Sequence, residues 1–439
     1  MRVLTLARDL SHAHGEAVNL LQLLEALHRA GHHIDVVRQE SRYFETDDAV
    51  ASRVMAVGDR VWTVGHTDHS VFWTPPPWMR PWVDRAPGRL RRLLGILDDS
   101  VRTVPSVVSS VLRAGRTRPD VVLEVRQFGT TWSGPVARLT GAALVCQVNV
   151  IIDARPRRDK ILLHPADRVV AVSRFVADEL VRLGIVPRHR VRVVHNGVDP
   201  SAYPYADGPV RADAVARLGL DPALPVVLYY GQLNPVKGVD VLLDAAALSV
   251  RPYQLVVAGR YTDAGYEDTL EPRFAALAGG PVRVVRLGHH EDVVPLLHAA
   301  DVVVLPSSRE EAFGRVIIEA MSTGRPVVAS RIGGIPEVMD GGFEDLLFTP
   351  RDPADLARVL GSVLGWRADD PTLGVRSRAH VEERFTLDDA ARGMAAVLAE
   401  AAVERAGRRP GWRARRRRAG ADTRVNPTLH PVQTSDPAV

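Results

Sequence analysis

Lysine is nearly absent from this chain. Of 56 basic residues only two, Lys160 and Lys237, are lysines, and the rest are arginine. Where any cation will do, the sequence writes Arg, so a retained Lys hints at a site that needs a compact ammonium instead of a planar fork. Cysteine is scarcer still. Cys146 stands alone, which excludes an internal disulfide and makes a reducing cytoplasm the expectation. No apolar run approaches the roughly 20 residues that a membrane span needs. The opening "MRVLTLARDLSHAHGEA" reaches polar residues by Arg8, so it reads as a buried strand and not as a signal peptide. No G-x-x-x-x-G-K-[ST] occurs, which excludes a Walker A loop. No D-x-D triplet occurs either.

What is present describes a globular chain. It has 439 residues, 46% hydrophobic and 25% charged, enough for two or three domains of ordinary size. The net charge of +4 is unevenly spread. Residues 401–439 hold nine arginines against three acids, so the basic character belongs mostly to a tail. The tail's Arg, Gly, Pro and Ala content argues against a packed core, and a solvated arm is expected. Contact with anionic lipid or nucleic acid is the functional alternative.

The hydrophobic pattern repeats an architecture. Strand 2–7, the amphipathic "EAVNLLQLLEALHRAG" and strand "HHIDVVR" make a β-α-β unit, the signature of a parallel sheet. Further strands are expected at 120–125, 143–150, 168–173 and 190–197, with a helix at 174–184. After the linker "DPSAYPYADGP" a second cycle starts, with strands at 225–231, 253–259, 282–288, 301–306 and 325–330. Helices are expected at 239–248, 292–300 and 387–403. The fold class is therefore α/β: two doubly wound domains in tandem, facing across a cleft. The divisions expected are 1–200, 201–386, a helix over 387–404 and a basic tail over 405–439. In such sheets ligands sit beyond the carboxyl ends of the strands.

Two stretches carry chemistry. In "SSREEAFGRVIIEAMSTGRPVVAS" (307–330), Ser307 and Ser308 each stand three residues before a Glu, so two overlapping capping boxes are available. Gly314 interrupts any helix before it, so the regular helix is expected over about 315–323. Glu311 then lies in the preceding loop, where the backbone N–H groups of Phe313 and Gly314 can meet an anion. Glu319 lies inside the helix among Val316, Ile317, Ile318, Ala320 and Met321. Taken alone, it reads as a carboxylate on a narrow wet face; the alternative is a hydrogen-bonded one. In "YYGQLNPVKGVD" (229–240), Lys237-Gly238 opens a helix after a strand. A cation there suits a phosphate, and it opposes the helix dipole unless an anion is present.

Four stretches come in a recognisable order: 166–199, 231–247, 287–339 and "HVEERFTLDDAA" (380–391). Together they resemble the retaining glycosyltransferases with two Rossmann-like domains, and most closely glycosyltransferase family 4, with its E-x7-E motif at Glu311 and Glu319. The resemblance is dense over 166–391 and thinner over 1–165. It implies a C-terminal domain that binds a UDP- or GDP-linked sugar. The N-terminal domain would bind the acceptor: a glycan, a lipid-linked glycan or a small metabolite. It implies that Glu319 accepts from the ribose hydroxyls and that Glu311, with the Phe313 and Gly314 backbone, holds the sugar and phosphate region. Lys237, beside Gly238, would neutralise the departing diphosphate, and Gly15 would let the backbone approach the phosphates from the other domain. Glu311 and Lys237 are thus the implied catalytic pair. Retention would come from front-face attack with no metal and no cofactor, charge stabilisation being the main task. Gln232 stands where the family commonly has Arg. Gln147 and Asn149 stand where it often has His, so Asn149 is a candidate contact to sugar or acceptor.

Weaker signals remain. His12 and His14 form an H-x-H with no third ligand evident, which argues against zinc. Trp73, Trp78 and Trp82 adjoin a stretch, 80–118, with nine arginines against three aspartates. Such helices can lie on an anionic membrane, or they can simply line a cleft. A peripheral membrane contact through this stretch or the tail is one expectation; a nucleic-acid partner is not expected. Two rival functions are a sugar-nucleotide 2-epimerase of similar fold and a non-catalytic binding protein.

Overall fold

The computed structural model describes residues 1–8, 15–39, 55–64, 80–83, 115–126, 133–151 and 156–408, with isolated positions between 53 and 113. His12, His14, Trp73, Trp78, most of 73–118 and the tail beyond Arg408 lie outside the described residues.

The first unit runs β1 (Arg2–Arg8), α1 (Gly15–Arg29), β2 (His33–Gln39), β3 (Arg60–Val64), β4 (Val121–Arg126), α2 (Ser133–Thr140), β5 (Ala143–Val148), β6 (Arg168–Ala171), α3 (Arg174–Arg182) and β7 (Val191–Val193). Its seven strands are ordered β3-β2-β1-β4-β5-β6-β7, with every pair parallel. The second unit contains β8 (Val226–Leu233), α4 (Val239–Ala247), β9 (Tyr253–Tyr261), β10 (Val282–Leu287), β11 (Val302–Leu305), α5 (Arg315–Ser322), β12 (Val327–Ser330) and β13 (Leu347–Phe348). Its six strands are ordered β10-β9-β8-β11-β12-β13, again all parallel. In both sheets the strand order reverses beside the first strand of the unit, the doubly wound arrangement.

The strands form where the sequence is rich in Val, Ile and Leu. Helices cover both faces, so the runs are almost continuously apolar: β5, β11 and β12 are buried at every position. α1 buries Leu20, Leu21, Leu24 and Leu27 and stops at Gly31 in the left-handed region (φ 83°), where the N–H of His32 reaches the carbonyl of Leu27. β3 and the two-residue β13 go beyond the strands expected from sequence.

A last helix, α6 (Leu387–Gly407), leaves the second unit and returns to the first. Thr386 caps it by accepting from the N–H of Asp389. Met394 and Leu398 are fully buried in a core shared with α1, β1 and β4, each burial contributing about 1.5–3 kcal/mol. Arg168 pairs with Glu400 at 2.9 Å and with Glu404, and Arg192 pairs with Glu400 at 2.5 Å. The two chain crossings between the units touch. Val198 bridges Thr386, and a Cβ at Gly197 would lie 2.2 Å from the Thr386 carbonyl oxygen.

Candidate active site

The site is built at the carboxyl ends of β8 and β11, on either side of the point where the second sheet reverses. The loop after β8 carries Lys237, and the loop after β11 carries Glu311. Lys237 Nζ donates to Glu311 Oε2 at 2.7 Å, and Ser307 Oγ donates to the same oxygen at 3.1 Å.

Backbone holds both partners in place. Ser308 N–H donates to the Val236 carbonyl at 2.8 Å, tying the two loops together. Asn234 Oδ1 accepts from Lys237 N–H. Gly238 lies at φ 68°, and a Cβ there would sit 2.0 Å from the Pro306 carbonyl oxygen, so only glycine fits. On the other side, Gly334 N–H donates to the Glu311 carbonyl, and a Cβ at Gly333 would sit 2.6 Å from Glu311 N.

The capping boxes available at Ser307 and Ser308 do not form. No helix begins there; Ser307 spends its hydroxyl on the Glu311 carboxylate instead. α5 starts after Gly314, which is left-handed at φ 89° and gives no side-chain cap. α4 likewise starts after Gly238 with no side-chain cap. Two helix N-termini thus open onto the Lys237–Glu311 pair, an arrangement that favours an anion. Phe313 is buried, with its ring 5.8 Å from those of His195 and Phe385, so its contribution toward the site is backbone.

Glu319 corrects the reading from sequence. It is not on a wet face: it is buried, and its carboxylate is bonded on both oxygens. Tyr230 Oη donates to Oε2 at 2.8 Å, and Arg315 Nε donates to Oε1 at 3.1 Å. Burial, and then the Glu319 charge, push the Tyr230 phenol well above its usual range, so it stays protonated and donating.

The first unit reaches the same place. Arg315 Nη1 donates to Asn19 Oδ1 at 2.8 Å and Nη2 to Gln22 Oε1 at 3.3 Å, both on α1. Gly15 opens α1 one turn before Asn19. Ser173 Oγ donates to the Ala312 carbonyl at 2.7 Å, and His195 Nε2 lies 2.5 Å from Glu337 Oε1. Glu337 also accepts from the Arg174 N–H at 2.7 Å.

The remaining candidates are more peripheral. Gln232 is exposed at the end of β8, where its Oε1 takes a 3.3 Å bond from Asn234. Its register partner on β9 is Arg260, also exposed and without a partner among the described residues. Asn149, just past β5, has both amide atoms shielded from solvent without a partner among the described residues, and Gln147 Oε1 is in the same condition. Burying such atoms unpaired is costly, so they are open to a ligand or water. Tyr230, Arg315 and Asn19 escaped the sequence reading. Only the i, i+4 spacing of Arg315 and Glu319 signalled any of these contacts.

Two family models match the chain in succession: "Glycosyltransferase Family 4" over residues 14–202 and "Glycosyl transferases group 1" over 224–365. A D-inositol 3-phosphate glycosyltransferase of Mycolicibacterium gilvum is 37% identical over 229 residues, 51% of this chain and 49% of that protein. One from Streptomyces avermitilis is 38% identical over 253 residues, 55% of this chain and 53% of that protein. The chain thus spans about half the length of these curated relatives. Among solved structures, Anabaena HepE in complex with UDP and glucose aligns with a TM-score of 0.70 at 20% identity, covering 91% of this chain and 100% of that one. A sucrose-phosphate synthase from Thermosynechococcus elongatus aligns with a TM-score of 0.67 at 21% identity, covering 91% and 98%. At those identities the likeness shows the fold: two facing Rossmann-like units.

Proposed function

We propose, from the premise that the chain belongs to the glycosyltransferases these two family models describe, that it moves a sugar from a UDP- or GDP-linked donor to an acceptor, with retention and without a metal. The observation that carries this reading is the Lys237–Glu311 pair at 2.7 Å between two uncapped helix N-termini, with Glu311 eight positions before the buried Glu319. Glu319 would accept from the ribose hydroxyls. The α5 N-terminus would take the diphosphate, and Lys237 would move from Glu311 to the phosphate oxygen on which charge develops as the sugar leaves. Glu311, released from that pair, would accept from donor sugar hydroxyls. In a front-face reaction the departing phosphate oxygen takes the acceptor's proton, so no protein base is needed. Arg260, in register beside Gln232, would supply the cation that Gln232 lacks. Gly15, at the head of α1, would admit the phosphates from the first unit. Asn149 would offer its unpaired amide to sugar or acceptor. Relatives bear the name D-inositol 3-phosphate glycosyltransferase, so a phosphorylated cyclitol is the first acceptor to assay.

The test is a thermal-shift panel of UDP- and GDP-sugars, followed by transfer to D-inositol 3-phosphate with the product anomer read by NMR. A donor at about 100 times its Kd stabilises the native state by about 2.7 kcal/mol. If no nucleotide-sugar raises Tm, the reading fails. An epimerised nucleotide-sugar formed without acceptor would replace it with an isomerase, and a metal requirement revealed by chelation would remove the metal-free part.

A further inference from the structure

The amino end of the first sheet holds a second cluster of charge. A cavity of about 120 Å³ is lined by Arg138 at the end of α2, Leu144 at the start of β5, Asp167 before β6, Arg190 before β7, and Arg405 and Arg408 on the last turn of α6. These are the amino ends of the strands, so the cavity faces away from the Lys237–Glu311 cleft. At about 30 Å³ per water it has room for roughly four waters, enough for a phosphate group.

Its charge is unbalanced. Asp167 is the sole carboxylate in the lining, against four guanidiniums. Its Oδ2 is already taken by the Leu144 N–H at 3.0 Å. Oδ1 faces Arg408 at 3.4 Å and Arg405 at 3.7 Å. Arg408 also pairs with Glu404. Arg190 spends one N–H on the His164 carbonyl at 3.4 Å, and Arg138 has no partner among the described residues. With about five donors on each guanidinium, most are left for a ligand.

We propose that this cavity is a second anion site, taking a phosphate group on Arg138, Arg190, Arg405 and Arg408, separate from the donor cleft. Phosphate suits a fork of guanidiniums better than a point cation does. The phosphate belongs either to a soluble phosphoester or to a phospholipid headgroup. The full chain is titrated with inorganic pyrophosphate by calorimetry, and separately sedimented with vesicles of phosphatidylglycerol in phosphatidylcholine or of phosphatidylcholine alone. Wild type is compared with R138E/R190E and R138K/R190K, after a melt confirms folding; R138Q/R190Q replaces the Glu pair if that pair unfolds. The expected result is at least a tenfold loss of affinity for one anionic probe in R138E/R190E, partly restored in R138K/R190K, and retained in K237A apart from the share of pyrophosphate that the cleft itself holds. Loss toward pyrophosphate identifies a soluble phosphoester; loss toward the anionic vesicles alone identifies a headgroup. Equal binding by wild type and R138E/R190E to both probes overturns the site, leaving the tail's charge as the whole effect. Loss in K237A but not in R138E/R190E overturns it too, placing pyrophosphate in the cleft.

Discussion

Replacing Glu319 by Gln keeps the side-chain shape and removes the charge, which makes it the sharpest probe of the donor site. A carboxylate offers about four acceptor positions. Arg315 occupies Oε1 through Nε and Nη2, and Tyr230 occupies one position on Oε2. One position remains free for a ribose hydroxyl, and a second hydroxyl can compete with Arg315. A bond to a charged acceptor contributes about 1.5–3 kcal/mol, and a neutral one about 0.5–1.5. Losing the charge on one or two such bonds therefore costs about 1–2 kcal/mol, or about 5- to 30-fold in Kd. Arg315 keeps Asn19 and Gln22 as acceptors, so the fold should survive. The assay is calorimetry with whichever of UDP or GDP binds the wild type, alongside a thermal melt. A Kd within twofold of wild type in a folded E319Q protein would refute the ribose assignment.

Lys237→Ala should lower turnover by roughly 100- to 1000-fold, the scale of losing one charge-stabilising donor, with a smaller change in donor affinity; equal losses in kcat and Kd would count against a leaving-group role. The pair it forms with Glu311 is part-buried, but Ser307 remains as a donor to the carboxylate, so a melt should show a loss of no more than about 1–2 kcal/mol. Arg260→Ala should weaken nucleotide diphosphate binding more than nucleoside binding; identical losses for UDP and uridine would remove it from the phosphate site. Gly238→Ala combines a left-handed φ costing about 1–2 kcal/mol with a 2.0 Å overlap on Pro306, so Tm should fall by at least several degrees; an unchanged melt would mean that the loop yields freely. Burial holds the His380 imidazole below its ordinary value, its bond to the Val338 carbonyl only partly offsetting this. The unfolded chain then binds more protons below pH about 6.5, so the stability this residue provides is present above that pH and drains away below it. The Tm advantage of wild type over H380Q should shrink between about pH 7 and pH 5.5, and a widening gap would reverse the sign.

What could be read from sequence follows physical range. The β-branched runs at β8, β9 and β11 and the glycine stops at Gly31 and Gly314 are local, and the helix after Gly314 ends within a residue of the expected place. Sequence alone could not choose between a wet face and a hydrogen-bonded Glu319, because its environment is set by Tyr230, on a strand 89 positions away. The capping boxes failed for a related reason. Ser307 had a better partner in the Glu311 carboxylate, held there by Gly333 and Gly334 from beyond β12. β13 is two residues long and carries no periodicity to detect. The arginine cavity draws on α2, three loops and α6, which no spacing rule brings together.

The return of α6 also sets an order in time. Residues 209–385 contain every strand of the second sheet and the helices whose Leu356, Val359, Val381 and Phe385 complete its core, so that unit can close before α6 is made. The first sheet leaves the ribosome earlier, yet its core waits for Met394 and Leu398 to arrive. Domains are generally expected to mature in the order of synthesis. Here the first-made domain is the last to be completed, and a nascent chain arrested before Leu387 would hold an unfinished first unit beside a finished second one.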